Sequence, residues 1–91
     1  MPENRNAEFN HLLRKSRDAK RGGRDAWAVQ STGEKVAVAL VLNRADWLKS
    51  IRYTLAEAID RTGQEWLGLV PLVERVLGNE GLLGAEEVSH G

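Results

Sequence analysis

Three capping boxes constrain this chain more than any other feature of its sequence. In a capping box, a Ser or Thr oxygen accepts a hydrogen bond from a free backbone amide at a helix start, and a Glu three residues later accepts one from the amide of the cap residue. The three pairs are Ser31 with Glu34, Thr54 with Glu57, and Thr62 with Glu65. They predict three helix starts in the middle of the chain.

Residues 36–42 are the segment where helix and strand compete. Every one of them is Val, Ala or Leu, so periodicity does not distinguish a buried helix from a strand. As a strand, the segment would pair with residues 26–30 through a turn at residues 31–34. We favour the helix, because the Ser31 box lies where a buried helix needs capped amides and because a two-stranded hairpin alone is only marginally stable.

Apolar spacing predicts a helix before this segment. Residues 4–20 carry a narrow apolar stripe at helical intervals. Gly22 and Gly23 follow, and they indicate a hinge because glycine loses the most backbone entropy in a helix and adopts positive φ readily. The short apolar run at residues 26–29 fits either a strand or a turn.

A further apolar face runs through residues 64–77 and is expected to end at Gly78. Pro71 lies inside it and is expected to break the helix near residues 69–70, because proline lacks the amide and clashes with the preceding turn. We therefore predict an all-α domain of about four short helices around one small core. The alternative is an α+β fold with a β-hairpin at residues 26–42 packed on helices.

Charge divides the chain into three regions. Residues 1–25 hold seven Lys or Arg and four Asp or Glu, which leaves six basic and nine acidic residues for the rest of a chain that has thirteen of each. We predict a basic N-terminal helix with its glycine hinge at residues 1–25 and a helical core domain at residues 26–78. Residues 79–91 hold three Glu, three Gly and no Lys or Arg, a composition that predicts a disordered acidic tail.

Composition excludes several classes of protein. The chain has 91 residues and no cysteine, so a disulfide scaffold or a thiolate site is excluded. No stretch reaches the roughly 18 apolar residues of a membrane span, and the polar first ten residues are unlike a signal peptide. We expect a cytoplasmic protein that does not contact a membrane.

Catalytic and metal-ligating residues are sparse. His11 and His90 lie at opposite ends of the chain, so no ligand cluster for a metal is expected. Ser, His and Asp residues occur, but no nucleophile motif joins them. We expect a protein that is not an enzyme and that binds no cofactor and no metal.

Nucleic acid is one candidate partner. A basic cluster could neutralise phosphates without reading sequence, and residues 54–77 have the outline of a helix-turn-helix, although Pro71 and two exposed acidic residues weaken it. The candidate contact residues for nucleic acid are Arg14, Lys15, Arg17, Lys20, Arg21 and Arg24.

A protein partner is the interpretation that we prefer. Trp is common at binding hot spots, and we single out Trp27, in the ambiguous stretch, together with Phe9 on the N-terminal stripe as candidate partner contacts. A core of this size gains little surplus stability from its own packing, so self-association commonly helps. The sequence thus predicts a small protein-interaction or regulatory module that forms a dimer, with nucleic-acid binding as the alternative.

Overall fold

Four α-helices make up the fold in the computed structural model, which describes residues 2–90 and the side chains of residues 6–81. The helices are α1 (Pro2–Ala28), α2 (Thr32–Val41), α3 (Ala45–Ser50) and α4 (Leu55–His90). Residues 2–90 contain no strand. The all-α prediction is confirmed. The alternative with a hairpin at residues 26–42 is wrong, because this region is the end of α1, a turn and α2.

Helix α2 lies at the centre of the core. It packs against α1, α3 and α4, and its buried side chains are all Val or Ala, so the neighbouring helices can approach it closely. The buried residues of α2 are Val36, Ala37, Val38, Ala39 and Val41. Around them lie buried side chains of the other three helices, namely Leu12, Leu13, Ala19, Trp27, Trp47, Leu48, Ala58, Leu69, Val73 and Leu77.

Two of the three predicted capping boxes form. The Glu34 amide donates to Ser31 Oγ at 3.2 Å, and the Ser31 amide donates to Glu34 Oε1 at 3.0 Å. The box of Thr54 and Glu57 has the same two bonds, at 3.1 and 2.9 Å. The third box does not form, although a new helical segment does start after the non-helical Gly63, because the Thr62 hydroxyl bonds to the preceding segment instead.

The hydroxyl of Thr62 donates to the carbonyl of Ala58 one turn earlier, at 2.7 Å. This bond ties Thr62 to the segment before it, so Thr62 ends one helical segment instead of starting the next. Residue 63 then changes the direction of the chain.

Glycines break both long helices. Gly23 in α1 has φ 72° and ψ −157°, and Gly63 in α4 has φ 82° and ψ 159°. This region of backbone space is essentially restricted to glycine. The hinge predicted at Gly22 and Gly23 is thus a single kink at Gly23. The helix resumes after it, so residues 26–28 are helical instead of a strand or a turn.

Pro71 does not break α4, so the expected break near residues 69–70 is wrong. The non-helical residue inside α4 is Gly63, eight residues earlier. Leu69 and Val73, on either side of Pro71, are both buried and hold the helix against the core. Pro71 itself lies on the exposed side of the helix.

Helix α4 also continues past Gly78, the residue at which the sequence pattern predicted its end. Beyond Gly78, the side chain of Glu80 contacts Arg17 of α1. The predicted division into residues 1–25, 26–78 and 79–91 stays a prediction. Side chains of α1 belong to the same buried cluster as those of α2. In the predicted tail, Gly91 and the side chains of residues 82–90 lie outside the described part of the chain.

Replacing either kink glycine is expected to destabilise the fold. We expect Gly23→Ala and Gly63→Ala each to lower the free energy of unfolding by about 1–3 kcal/mol, because alanine is strained at these angles. Gly68→Ala is the control, since Gly68 is helical and a Cβ there meets nothing within 4 Å. It should raise stability by about 0.5–1 kcal/mol. Urea unfolding of the three variants measures these changes. Equal effects at all three positions would contradict the conclusion that residues 23 and 63 require glycine.

Candidate functional site

The six basic residues predicted to contact nucleic acid all lie on α1. Lys15 and Arg17 are half-buried, whereas the other four side chains are exposed. We call this set the basic surface, and its members are Arg14, Lys15, Arg17, Lys20, Arg21 and Arg24. One helix therefore brings together most of the candidate cations, although the kink at Gly23 separates the last from the others.

Two members of the basic surface are engaged by the C-terminal part of α4. Arg17 Nε donates to Glu80 Oε1 at 3.2 Å, and its Nη2 donates to the other carboxylate oxygen. Lys20 Nζ donates to the carbonyl of Leu77 at 3.3 Å. The bond from Arg17 lowers the pKa of Glu80, with the charges of Lys20 and Arg21 acting in the same direction.

Arg44 adds a cation that the sequence analysis did not find. It lies beside Lys20 and Gly23 at a groove of about 200 Å³ between α1 and α3. Its guanidinium lies 4.4 Å from the centroid of the Trp47 ring and donates two hydrogen bonds to Asp46, at 3.0 and 2.8 Å. Asp46 thus offsets much of this charge. No local pattern connects residue 44 with residue 20, because only the packing of α3 on α1 makes them neighbours.

His11 joins three helices. Its Nε2 is 2.7 Å from Glu34 Oε2 on α2, and its ring centroid is 5.8 Å from that of Trp66 on α4. Arg14 Nη2 is 3.5 Å from its Nδ1. His11 therefore has a structural partner on α2, and Glu34 both caps α2 and ties it to α1.

The structure places the predicted partner contacts in or against the core. Trp27 is 1 % exposed, and its Nε1 donates to the carbonyl of Lys35 at 2.8 Å. Its ring lies 5.0 Å from that of Trp47, centroid to centroid. Phe9 is half-buried against the same cluster. Trp27 is therefore unavailable to a partner while the domain is folded, and it serves as a core residue.

The outline of a helix-turn-helix at residues 54–77 becomes two segments of α4 that meet at Gly63. The side of the second segment that faces solvent includes Glu65, Glu74 and Arg75. Phosphates would repel two of these three side chains. This segment adds little to the case for nucleic acid.

Among the described side chains of residues 6–81, large apolar ones are exposed in three places. Val29, in the turn after α1, is 85 % exposed, and Leu72 on α4 is 41 % exposed. Leu55 and Ile59 are 61 % and 43 % exposed, and they are neighbours one helical turn apart at the start of α4. Single exposed apolar residues are normal on soluble proteins, so the pair is the more informative feature.

Glu34 makes the stability of the domain dependent on pH. Partial burial raises the pKa of its carboxyl, but the hydrogen bonds from the Ser31 amide, His11 and the Ser31 hydroxyl outweigh this and lower the pKa below its usual 4.5. A carboxyl with a lowered pKa in the folded state stabilises it fully above the usual value. This contribution disappears as the pH falls through the folded-state value.

We expect Glu34→Gln to lower the free energy of unfolding at neutral pH by about 1 kcal/mol, the usual scale for a lost capping or hydrogen-bonding contact. The difference from the original chain should shrink below about pH 4.5, where the carboxyl becomes protonated. Glu65→Gln, on an exposed residue of α4, is the control with the same change of charge. Thermal unfolding across this pH range measures both, and a difference that does not vary with pH would contradict the assignment.

The described side chains bring no metal site together: among residues 6–81, no three His, Cys, Asp or Glu residues cluster closely enough to hold an ion. None of the helices in the described part of the chain has the length and hydropathy needed to cross a membrane. Comparison with known proteins gives no relative, since no protein-family model, no curated protein and no solved structure matches the chain significantly.

Proposed function

We propose that this chain is a small, non-enzymatic protein-interaction module of the cytoplasm that pairs with a second copy of itself. The observation that carries this proposal is the exposure of Leu55 and Ile59 side by side at the start of α4. Adjacent apolar side chains that face solvent on a helix are typical of a surface that another protein covers.

The first segment of α4 is apolar on more than its core side. Ala58 is fully buried against the core, while Leu55, Ala56 and Ile59 are exposed. A helix that needed only to pack on this core would carry polar side chains at the exposed positions. The pair of Leu55 and Ile59 therefore supports a second contact on the outer side of this segment.

The balance of charge around the pair's helical segment favours a second copy as the partner. Two cations and two anions, Arg52, Glu57, Asp60 and Arg61, line a shallow hollow at the start of α4 and the turn before it, so the segment that carries the apolar pair has no excess of either sign. In a symmetric dimer the same patch meets itself, and an interface of this kind needs both signs of charge to be self-complementary. A patch with one sign of charge would repel its own copy.

The expected association is weak. A fully buried Leu or Ile side chain contributes about 1.5–3 kcal/mol, and each copy brings two that are already partly covered. The loss of free motion on association costs on the order of 4–15 kcal/mol. We therefore expect a dimer that forms only at high protein concentration.

Sedimentation equilibrium at rising protein concentration tests this proposal. We expect the average mass to rise above that of one chain, and the double variant Leu55→Ser/Ile59→Ser to remain a monomer. Val29→Ser is the matched control, because Val29 is more exposed but stands alone in a turn, and it should behave like the original chain. A strict monomer at every concentration would overturn the proposal, and so would an equal loss of self-association in the double variant and in Val29→Ser.

Nucleic-acid binding is a second candidate function, and the exposure of Arg14, Lys20, Arg21 and Arg24 on α1 favours it. Cations that follow one helix can contact successive phosphates of a backbone. Arg44 lies near the same surface across the groove between α1 and α3. Asp18 and Asp25 on α1 reduce its net charge, so affinity should be modest and strongly dependent on salt.

Fluorescence anisotropy with a labelled oligonucleotide tests the second candidate. We expect binding that weakens steeply between roughly 50 and 200 mM salt, with each phosphate contact contributing about 0.9 to the logarithmic slope. The triple variant Arg14→Gln/Arg21→Gln/Arg24→Gln should lower the slope by about two to three. Lys49→Gln/Arg52→Gln/Arg75→Gln removes the same charge elsewhere and should bind more tightly than the first variant. Absence of binding by the original chain would exclude this function.

A further inference from the structure

We propose that Arg17, Lys20 and Arg21 form a binding site for the phosphates of a nucleic-acid backbone, and that Glu80 of the same chain occupies this site in the free protein. The inference rests on the second candidate function and adds to it a residue that competes with the ligand.

The contacts of Glu80 resemble those that a phosphate would make. Its two carboxylate oxygens each accept a hydrogen bond from the Arg17 guanidinium, and a guanidinium binds carboxylate and phosphate with the same paired geometry. Arg17, Lys20, Arg21 and Glu80 line one open hollow of about 360 Å³ between α1 and α4. The carboxylate therefore occupies the position at which an external anion would meet the three cations.

The contact is weak enough to be displaced. The side chains of Arg17 and Glu80 are 39 % and 41 % exposed, and ion pairs at this level of exposure contribute little because water and salt screen them. A polyanion offers several phosphates at once, whereas Glu80 offers one carboxylate. Nucleic acid should thus displace Glu80 from Arg17 without unfolding the domain.

Lys20 adds a second contact between the same elements. Its Nζ donates to the carbonyl of Leu77 at 3.3 Å, one turn before Glu80. A Cβ at Gly81 would lie 3.3 Å from the same nitrogen, so α4 approaches Lys20 closely. The end of α4 therefore covers the middle of the basic surface, while Arg14 and Arg24 lie outside the covered part.

Glu80→Gln is the test, with Glu74→Gln as the matched control. Both remove one negative charge from an exposed position on α4, but only Glu80 contacts Arg17. We expect Glu80→Gln to bind a labelled oligonucleotide about two- to fivefold more tightly, because one weak, exposed ion pair no longer has to be broken. The logarithmic salt slope should change by less than one, because Arg17 contacts a phosphate in the bound state of both chains. Glu74→Gln should change neither quantity beyond a small general effect of charge.

Arg17→Gln completes a double-mutant cycle. In the original chain it should have little effect on binding, because the phosphate contact that is lost is offset by the ion pair with Glu80 that no longer has to be broken. In the Glu80→Gln background it should reverse the gain. An equal loss in both backgrounds, or an equal gain from the variants at 74 and 80, would overturn the inference and leave nucleic-acid binding standing. If neither the original chain nor Glu80→Gln binds the oligonucleotide, the second candidate function fails as well.

Discussion

The burial of α2 on nearly every side is the constraint on which the rest of this structure depends. Val36, Ala37 and Val38 have no exposure at all, and backbone groups at both ends of this helix have hydrogen-bond partners within the protein. The Ser31 box supplies them at the start. At the other end the Arg44 amide donates to the Ala39 carbonyl at 2.8 Å, and Asn43 adopts a left-handed conformation with φ 56°. Helices α1 and α4 can then pack closely on α2, because its buried side chains are all Val or Ala.

How much of this architecture could be predicted from the sequence depends on how local each signal is. The boxes at Ser31 and Thr54 are complete within four residues, and both form. The Thr62 box failed because Gly63 sets the chain direction there. Pro71 does not break α4, because the buried residues Leu69 and Val73 on either side of it hold the helix against the core. In both cases tertiary packing overrode a local preference.

The predicted site shows the same limit. The six cations all lie on α1, but Glu80 lies 63 residues from Arg17 and Glu34 lies 23 residues from His11. Only the packed fold brings such partners together. Trp27 was expected at a partner surface because its stretch of sequence was ambiguous. Nothing local to it indicated that it packs on Trp47 in the core. The two candidate surfaces therefore differ in character. The apolar pair on α4 is open, whereas part of the basic face of α1 is already covered from within.

The kinks at Gly23 and Gly63 have a consequence for recognising distant relatives of this chain. A methyl group at residue 22 would also lie 2.5 Å from the Ala26 methyl, so the corner in α1 accepts only very small residues. Substitution of a surface charge leaves the directions of the helices unchanged, whereas substitution of either kink glycine does not. A protein that shares the fold should therefore keep a glycine about eight residues before its first serine cap and another about nine after its threonine cap. That spacing is a search pattern that would persist after overall sequence identity has been lost.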